Sequence, residues 1–151
     1  MKYLLAHDLG TSGNKATLYS TDGQLVKSIT YGYDLKVSNG NWAEQDPMAW
    51  WGAVCESTKA LTAEVNAADI AAVSFSGQMM GCVCVDKNGE PLRDAMIWAD
   101  MRSTKQESKL RANIGEKEFY NITGHRISSS YSATKLMWVR DNQPEIYART
   151  A

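Results

Sequence analysis

A mixed α/β fold is predicted by three observations. Strand-length apolar runs separated by turn residues come first, a helical period takes over after Asp46, and short strands and helices follow. Tyr3 to His7 reads as a buried strand and Lys15 to Ser20 as a second. Gln24 to Val37 reads as a long third, joined to the second by the Thr21-Asp22-Gly23 turn, so the sheet begins with a three-stranded β-meander. Asp46 suits an N-cap with Pro47 at the first helical position. Trp50, Val54, Ser57 and Leu61 then recur at helical spacing, predicting a helix to about Val65. Ile70 onward ("IAAVSFSG") is expected as a short buried strand, "CVCVDKNGEPL" as a strand pair about an Asn88-Gly89 turn, and "AMIW" as one more. Helices are expected from Ser103 to Ala112, from Gly115 to Tyr120 and over Thr134 to Asn142, with Ser132 as a cap of the last.

At 151 residues, 44% hydrophobic and 22% charged, the chain has the length and composition of about one ordinary globular domain. A net charge of -1 supplies no basic face for nucleic acid, no apolar run is long enough to span a bilayer, and the N-terminus lacks a secretory apolar core, so cytoplasm is the expected location. Cys55, Cys82 and Cys84 lie among apolar residues without histidines at ligand spacing and read as core thiols. Trp42, Trp50 and Trp51 read as a packing set, and His7 and His125 are assigned no chemistry.

Between the first two strands lies "DLGTSGNK". Gly10 and Gly13 are expected to allow positive φ and close approach of a ligand, while Thr11 and Ser12 add hydroxyls, a combination suited to phosphate. Neither the P-loop nor the dinucleotide fingerprint is present, because no Gly-Lys-Ser/Thr follows and a strand comes after the glycines. Asp8 would hold a hydrated Mg²⁺ and Lys15 would add positive charge. A plain polar hairpin turn explains the same residues equally well. Further along, Trp98 offers an apolar platform and Asp100 a hydrogen-bond acceptor, with Arg102 read as half of a surface Asp–Arg pair.

The stretches "HDLGTSGNKATLYSTDGQLV", "WAEQDPMAWW", "VSFSGQMMGCVCVDKNGEPLRDAMIWADMRS" and "ITGHRISSSYSATKLMWVRDNQPEIY", in this order, resemble the N-terminal part of the FGGY carbohydrate kinases, most closely the xylulokinases. The resemblance implies a ribonuclease-H-like domain of the actin and hexokinase type, a mixed sheet flanked by helices, with such a domain on each side of a cleft. It implies ATP and Mg²⁺ as cofactors, Asp8 as the metal-organising carboxylate, and Gly10, Thr11, Ser12, Gly13 and Lys15 at the ATP phosphates. Gln78, Met79, Met80, Trp98, Asp100 and Ser130 would face a small-molecule sugar. Xylulokinases typically carry Gln-Met-His-Gly where this chain has Gln78-Met79-Met80-Gly81, so another ketose, a polyol or a sugar acid is an alternative to xylulose. The family's catalytic base lies well downstream, so residues 1–151 are expected to be an incomplete N-terminal sugar- and phosphate-binding domain. They are expected to carry no catalytic residue and to lack the C-terminal ATP-binding domain. No nucleic-acid or membrane partner is expected, and a homodimer is compatible with the family. A catalytically silent actin-like binding module and a plain structural domain are the competing readings.

Overall fold

Strand alternation places Leu5, Ala16 and Leu18 on one face of a hairpin, and burying that face organises the first part of the fold. The computed structural model describes all residues, Met1–Ala151, and divides into two compact units: Met1–Leu35 with Asp46–Gln78, and Lys36–Gln45 with Met79–Ala151. Strands β1 (Tyr3–Leu9), β2 (Gly13–Ser20) and β3 (Leu25–Gly32) form the expected antiparallel meander of the first unit. The chain then lays down β4 (Lys36–Ser38) and β5 (Trp42–Gln45) of the second unit. Helix α1 (Pro47–Thr62) and β6 (Ile70–Gly77) return it to the first.

In the first unit β6 joins β1 in parallel, giving the order β3-β2-β1-β6. Asp46 caps α1 by accepting from the Met48 N–H at 2.8 Å, and Pro47 begins the helix. The helix packs on β2 and β3, where Leu61 closes a core with Leu5, Ala16 and Leu18. Because β6 is an edge strand away from α1, Val73 and Phe75 are exposed, and the expected burial of this strand is corrected. Trp51 is likewise exposed and leaves the expected packing set.

The expected third strand, Gln24–Val37, is two strands in different sheets. It ends at Gly32, and the Tyr33 N–H turns to the Ser12 carbonyl at 3.4 Å. In the second unit β4 and β5 pair with β7 (Ala95–Met96) in the order β4-β5-β7. The Asn88-Gly89 turn forms, with Asp86 accepting from the Asn88 and Glu90 N–H groups at 2.8 and 3.0 Å, but only isolated bridges flank it. Pro91 lacks an amide donor, so a regular ladder does not extend from it. Helices α2 (Thr104–Asn113), α3 (Glu116–Thr123), α4 (Ser132–Asn142) and α5 (Pro144–Arg149) follow, the last without a counterpart in the sequence reading. Cys82, Cys84, Met96 and Val139 form this unit's core.

Neither Gly10 nor Gly13 adopts positive φ, contrary to expectation; Gly23, Gly40, Gly89, Gly115 and Gly124 do. What glycine supplies at position 13 is clearance, since a Cβ there would stand 2.6 Å from the Tyr31 carbonyl oxygen. At Gly10 the nearest atom would be the Gly13 oxygen at an ordinary 3.5 Å. Gly13→Ala is therefore expected to destabilise the protein by about 1–3 kcal/mol and Gly10→Ala by less than ~0.5 kcal/mol in urea unfolding. Equal losses would show that clearance is not what position 13 requires.

Candidate active-site halves

The first unit presents the Leu9–Gly13 loop at the C-terminal end of β1. Its shape is fixed from within, because the Gly10 N–H donates to the Gly13 carbonyl at 3.0 Å. The Gly10 carbonyl in turn accepts from the Tyr33 hydroxyl and, at 3.2 Å, from Gln78 Nε2 at the end of β6. The loop thus has a rigid frame drawn from three strand ends, and Gln78 belongs to that frame. Asp8 and Lys15 are cross-strand partners, both exposed. With Thr17, Tyr19, Ser74 and Ser76 they line a groove of about 360 Å³. The Tyr33 phenol is pushed above its ordinary pKa by burial, reinforced by the negative charge of Asp8.

No group of three or more acidic, histidine or cysteine side chains gathers to hold a metal. A single exposed carboxylate such as Asp8 fits Mg²⁺, which keeps its waters and is held by one or two carboxylates together with phosphate oxygens. On the opposite face of β1, His7 is buried. Asn14 Nδ2 lies 3.0 Å from its Nδ1 and Thr58 Oγ1 3.3 Å from its Nε2, while Asn14 Nδ2 also donates to Ser57 at 2.9 Å. Burial holds the imidazole below its ordinary pKa, partly offset by the Asn14 hydrogen bond. This polar cluster behind Asp8 is absent from the sequence reading because its members lie far apart in the chain.

The second unit gathers the remaining candidates. Met80 is one of two non-glycine residues with positive φ, at 62°, and with Met79, Phe119, His125 and Tyr131 it lines a hollow of about 410 Å³. Trp98, 48% exposed, stands on a turn closed by the Asp100 N–H to the Ile97 carbonyl at 3.0 Å. Ser130 Oγ donates to the Trp98 carbonyl at 2.6 Å. Asp100 itself is fully buried: one oxygen accepts from the Ala43 N–H at 2.8 Å and from Arg102 Nη2 at 2.6 Å, the other from the Arg102 N–H at 3.1 Å.

Arg102 is not the surface residue expected. Its guanidinium is buried over Trp42, 3.8 Å from the ring centroid, and also meets Glu44 at 3.0 Å. Asp100 and Arg102 together fasten the Trp98 turn to β5, and Asp100 shows no open face. Ser132 is also corrected: Tyr131 occupies the cap position of α4, and the Ser132 hydroxyl donates to the Gly81 carbonyl at 2.7 Å.

One residue passed over in the sequence is Lys135. It is fully buried, and its Nζ donates to the carbonyls of Met80 at 2.8 Å, Ile97 at 2.7 Å and Ser130. The signal was there in the spacing, because Lys135 stands one helical turn before Val139, on the inward face of α4.

The chain is similar over its whole length to known sugar kinases. It is 33% identical to the xylulose kinase of Bacillus subtilis (strain 168) over 153 residues, covering 100% of this chain and 30% of that protein. It is 31% identical to the gluconokinase of the same organism, covering 97% of this chain and 29% of the relative. Among solved structures, the ligand-bound xylulose kinase from Lactobacillus acidophilus superposes with a TM-score of 0.91 at 28% identity, over 99% of this chain and 30% of that one. The chain therefore spans about 30% of the length of the relatives it matches. Its fold class is the ribonuclease-H-like α/β fold of actin and hexokinase. Since residues 3–151 match the model of the N-terminal domain of the FGGY family of carbohydrate kinases, the chain belongs to that family.

Proposed function

We propose that this chain is the N-terminal, sugar- and phosphate-binding part of an ATP-dependent carbohydrate kinase of the cytoplasm. The enzyme transfers the γ-phosphate of ATP to a hydroxyl of xylulose or of a related ketose, polyol or sugar acid. Membership of the family carries this reading, supported by relatives named xylulose kinase and gluconokinase. In it Asp8 holds Mg²⁺, which neutralises phosphate charge when bound. Thr11 and Ser12, with the backbone of Gly10 and Gly13, receive the ATP phosphates, and Lys15 supplies positive charge near the γ-phosphate. The loop's internal bonds fix its shape before phosphate arrives, with the Gly10 N–H itself committed to the Gly13 carbonyl.

On the sugar side the half-exposed indole of Trp98 offers a stacking face, and Met79, Met80 and the Ser130 hydroxyl shape the pocket. Asp100 acts by fixing the turn that presents Trp98, while Gln78, in the first unit, holds the loop. None of these residues is assigned as the base that deprotonates the attacking hydroxyl. Sugar-dependent ADP formation by the complete protein, across a panel of pentuloses, hexuloses, polyols and sugar acids, tests the reading. Turnover with one class supports it, and inertness toward all of them contradicts it.

Two variants probe the halves separately. Asp8 is exposed and takes part in no ion pair, so Asp8→Ala is expected to abolish phosphoryl transfer while shifting stability by less than ~0.5 kcal/mol. Retained turnover would remove Asp8 from the metal site. Met80 occupies a left-handed backbone position that histidine tolerates better than most residues, so Met80→His is expected to fold. An imidazole there adds a donor and an acceptor, and kcat/KM for xylulose should rise about tenfold, equivalent to ~1.4 kcal/mol, with the KM for ATP unchanged. An unchanged sugar ranking with altered ATP affinity would take Met80 out of the sugar pocket.

A further inference from the structure

Three stretches far apart in sequence, around Met80, Trp98 and Ser130, meet at one side chain in the second unit. The ammonium of Lys135 has three N–H donors, and each meets a main-chain carbonyl: Met80 at 2.8 Å, Ile97 at 2.7 Å, and Ser130. Met80 and Ser130 are themselves sugar-side candidates, and Ile97 immediately precedes Trp98. The same contacts explain two local oddities. Met80 keeps an unfavourable positive φ, at 62°, which a surrounding structure must enforce, and the bond to its carbonyl does so. The turn bearing Trp98 has its first carbonyl shared between Lys135 and the Asp100 N–H, so the indole is presented from a fixed base. Ser130 completes a ring, since its carbonyl accepts from Lys135 while its hydroxyl donates to the Trp98 carbonyl.

We propose that Lys135 is the positioning residue for sugar recognition: its buried ammonium fixes the carbonyls of Met80, Ile97 and Ser130, and thereby the relative placement of the Met80, Trp98 and Ser130 side chains. The inference rests on the kinase reading and deepens it. Lys135 does not touch the sugar. It acts through the backbone, so its loss should appear as weakened sugar binding and leave the phosphate-binding loop of the first unit alone.

The requirement for three donors makes the device sensitive to protonation. Burial is the main cause that lowers the Lys135 pKa, to about 8; Asp100 and Cys82 act in the opposite direction, and Arg102 lowers it further. Those are the charged and titratable groups facing it, Asp100 and Arg102 from the segment after β7 and Cys82 from the segment after Met80. Below about 8 the ammonium satisfies all three carbonyls. Above it the neutral amine has two donors for three acceptors, and the sugar-competent arrangement loses population as pH rises.

The test uses the complete protein. Sugar affinity without ATP, measured by calorimetry between about pH 7 and about pH 9.5, is expected to weaken above the Lys135 pKa, approaching tenfold per unit as the competent fraction falls. Affinity for an ATP analogue should stay flat. Lys135→Met, similar in length and uncharged, is expected to raise the sugar KM about tenfold or more with the KM for ATP changed less than about twofold. Lys135→Arg, which keeps its charge, should recover part of the affinity and show no weakening with pH. If Lys135→Met does not fold, the wild-type pH dependence and the Lys135→Arg profile decide the matter. An active wild type whose sugar affinity is independent of pH, or a Lys135→Met enzyme with unchanged sugar KM, overturns the inference while leaving the kinase reading intact. A wild type inert toward every sugar defeats the kinase reading itself, and this inference falls with it.

Discussion

The second unit is organised around a charge removed from water. An ammonium at full burial is costly unless every donor is satisfied, and Lys135 meets that demand with three carbonyls from three separate segments. Once that charge is buried, the segments cannot drift independently, since releasing any one of them strands a donor in the interior. The buried Asp100–Arg102 pair works in the same way on the adjoining turn, accepting from the Ala43 N–H and so joining it to β5. Arg102 also lies over Trp42 and close to Trp138, two rings that meet edge to face and cover the ion pair. Polar interactions of this kind specify one arrangement more sharply than apolar packing alone, which fits a unit whose regular sheet has only three short strands.

The first unit solves a different problem. Its loop holds its shape through internal backbone bonds at the ends of β1, β3 and β6. The side chains on the two faces of β1 then divide the work. Leu5 and His7 face the helix, where His7 joins a buried polar group with Asn14 and Thr58, while Asp8 is left exposed beside Lys15. Alternation along one strand therefore separates what holds the sheet together from what is available to a charged ligand.

Much of this was legible in the sequence because it is local. The meander, the Asp46-Pro47 helix start, the Asn88-Gly89 turn and the "DLGTSG" loop rest on short patterns whose physical meaning does not depend on distant partners. What escaped was non-local. The burial of Arg102 depends on Trp42 and Trp138, the exposure of Val73 and Phe75 on where α1 lies, and the role of Lys135 on three carbonyls, two of them more than 30 residues away. Of the two loop glycines expected to need positive φ, neither adopts it; position 13 requires glycine because a neighbouring strand's carbonyl leaves no room for a Cβ, and position 10 shows no such requirement. A lysine one turn from a buried valine on an otherwise inward helical face is a readable cue, and it marks a charge that the fold has to satisfy.

In the proposed function one unit receives the phosphates of ATP and the other presents a sugar-binding surface. The most direct measurement is a crystal structure of the complete protein with its preferred sugar, Mg²⁺ and a non-hydrolysable ATP analogue. Phosphate oxygens are expected against the Gly10–Gly13 backbone with the metal beside Asp8. The sugar is expected against the exposed face of Trp98, within reach of Met80 and Ser130, with Lys135 still bound to its three carbonyls. Phosphates bound away from the loop, or a sugar that leaves Trp98 in solvent, would contradict that proposal.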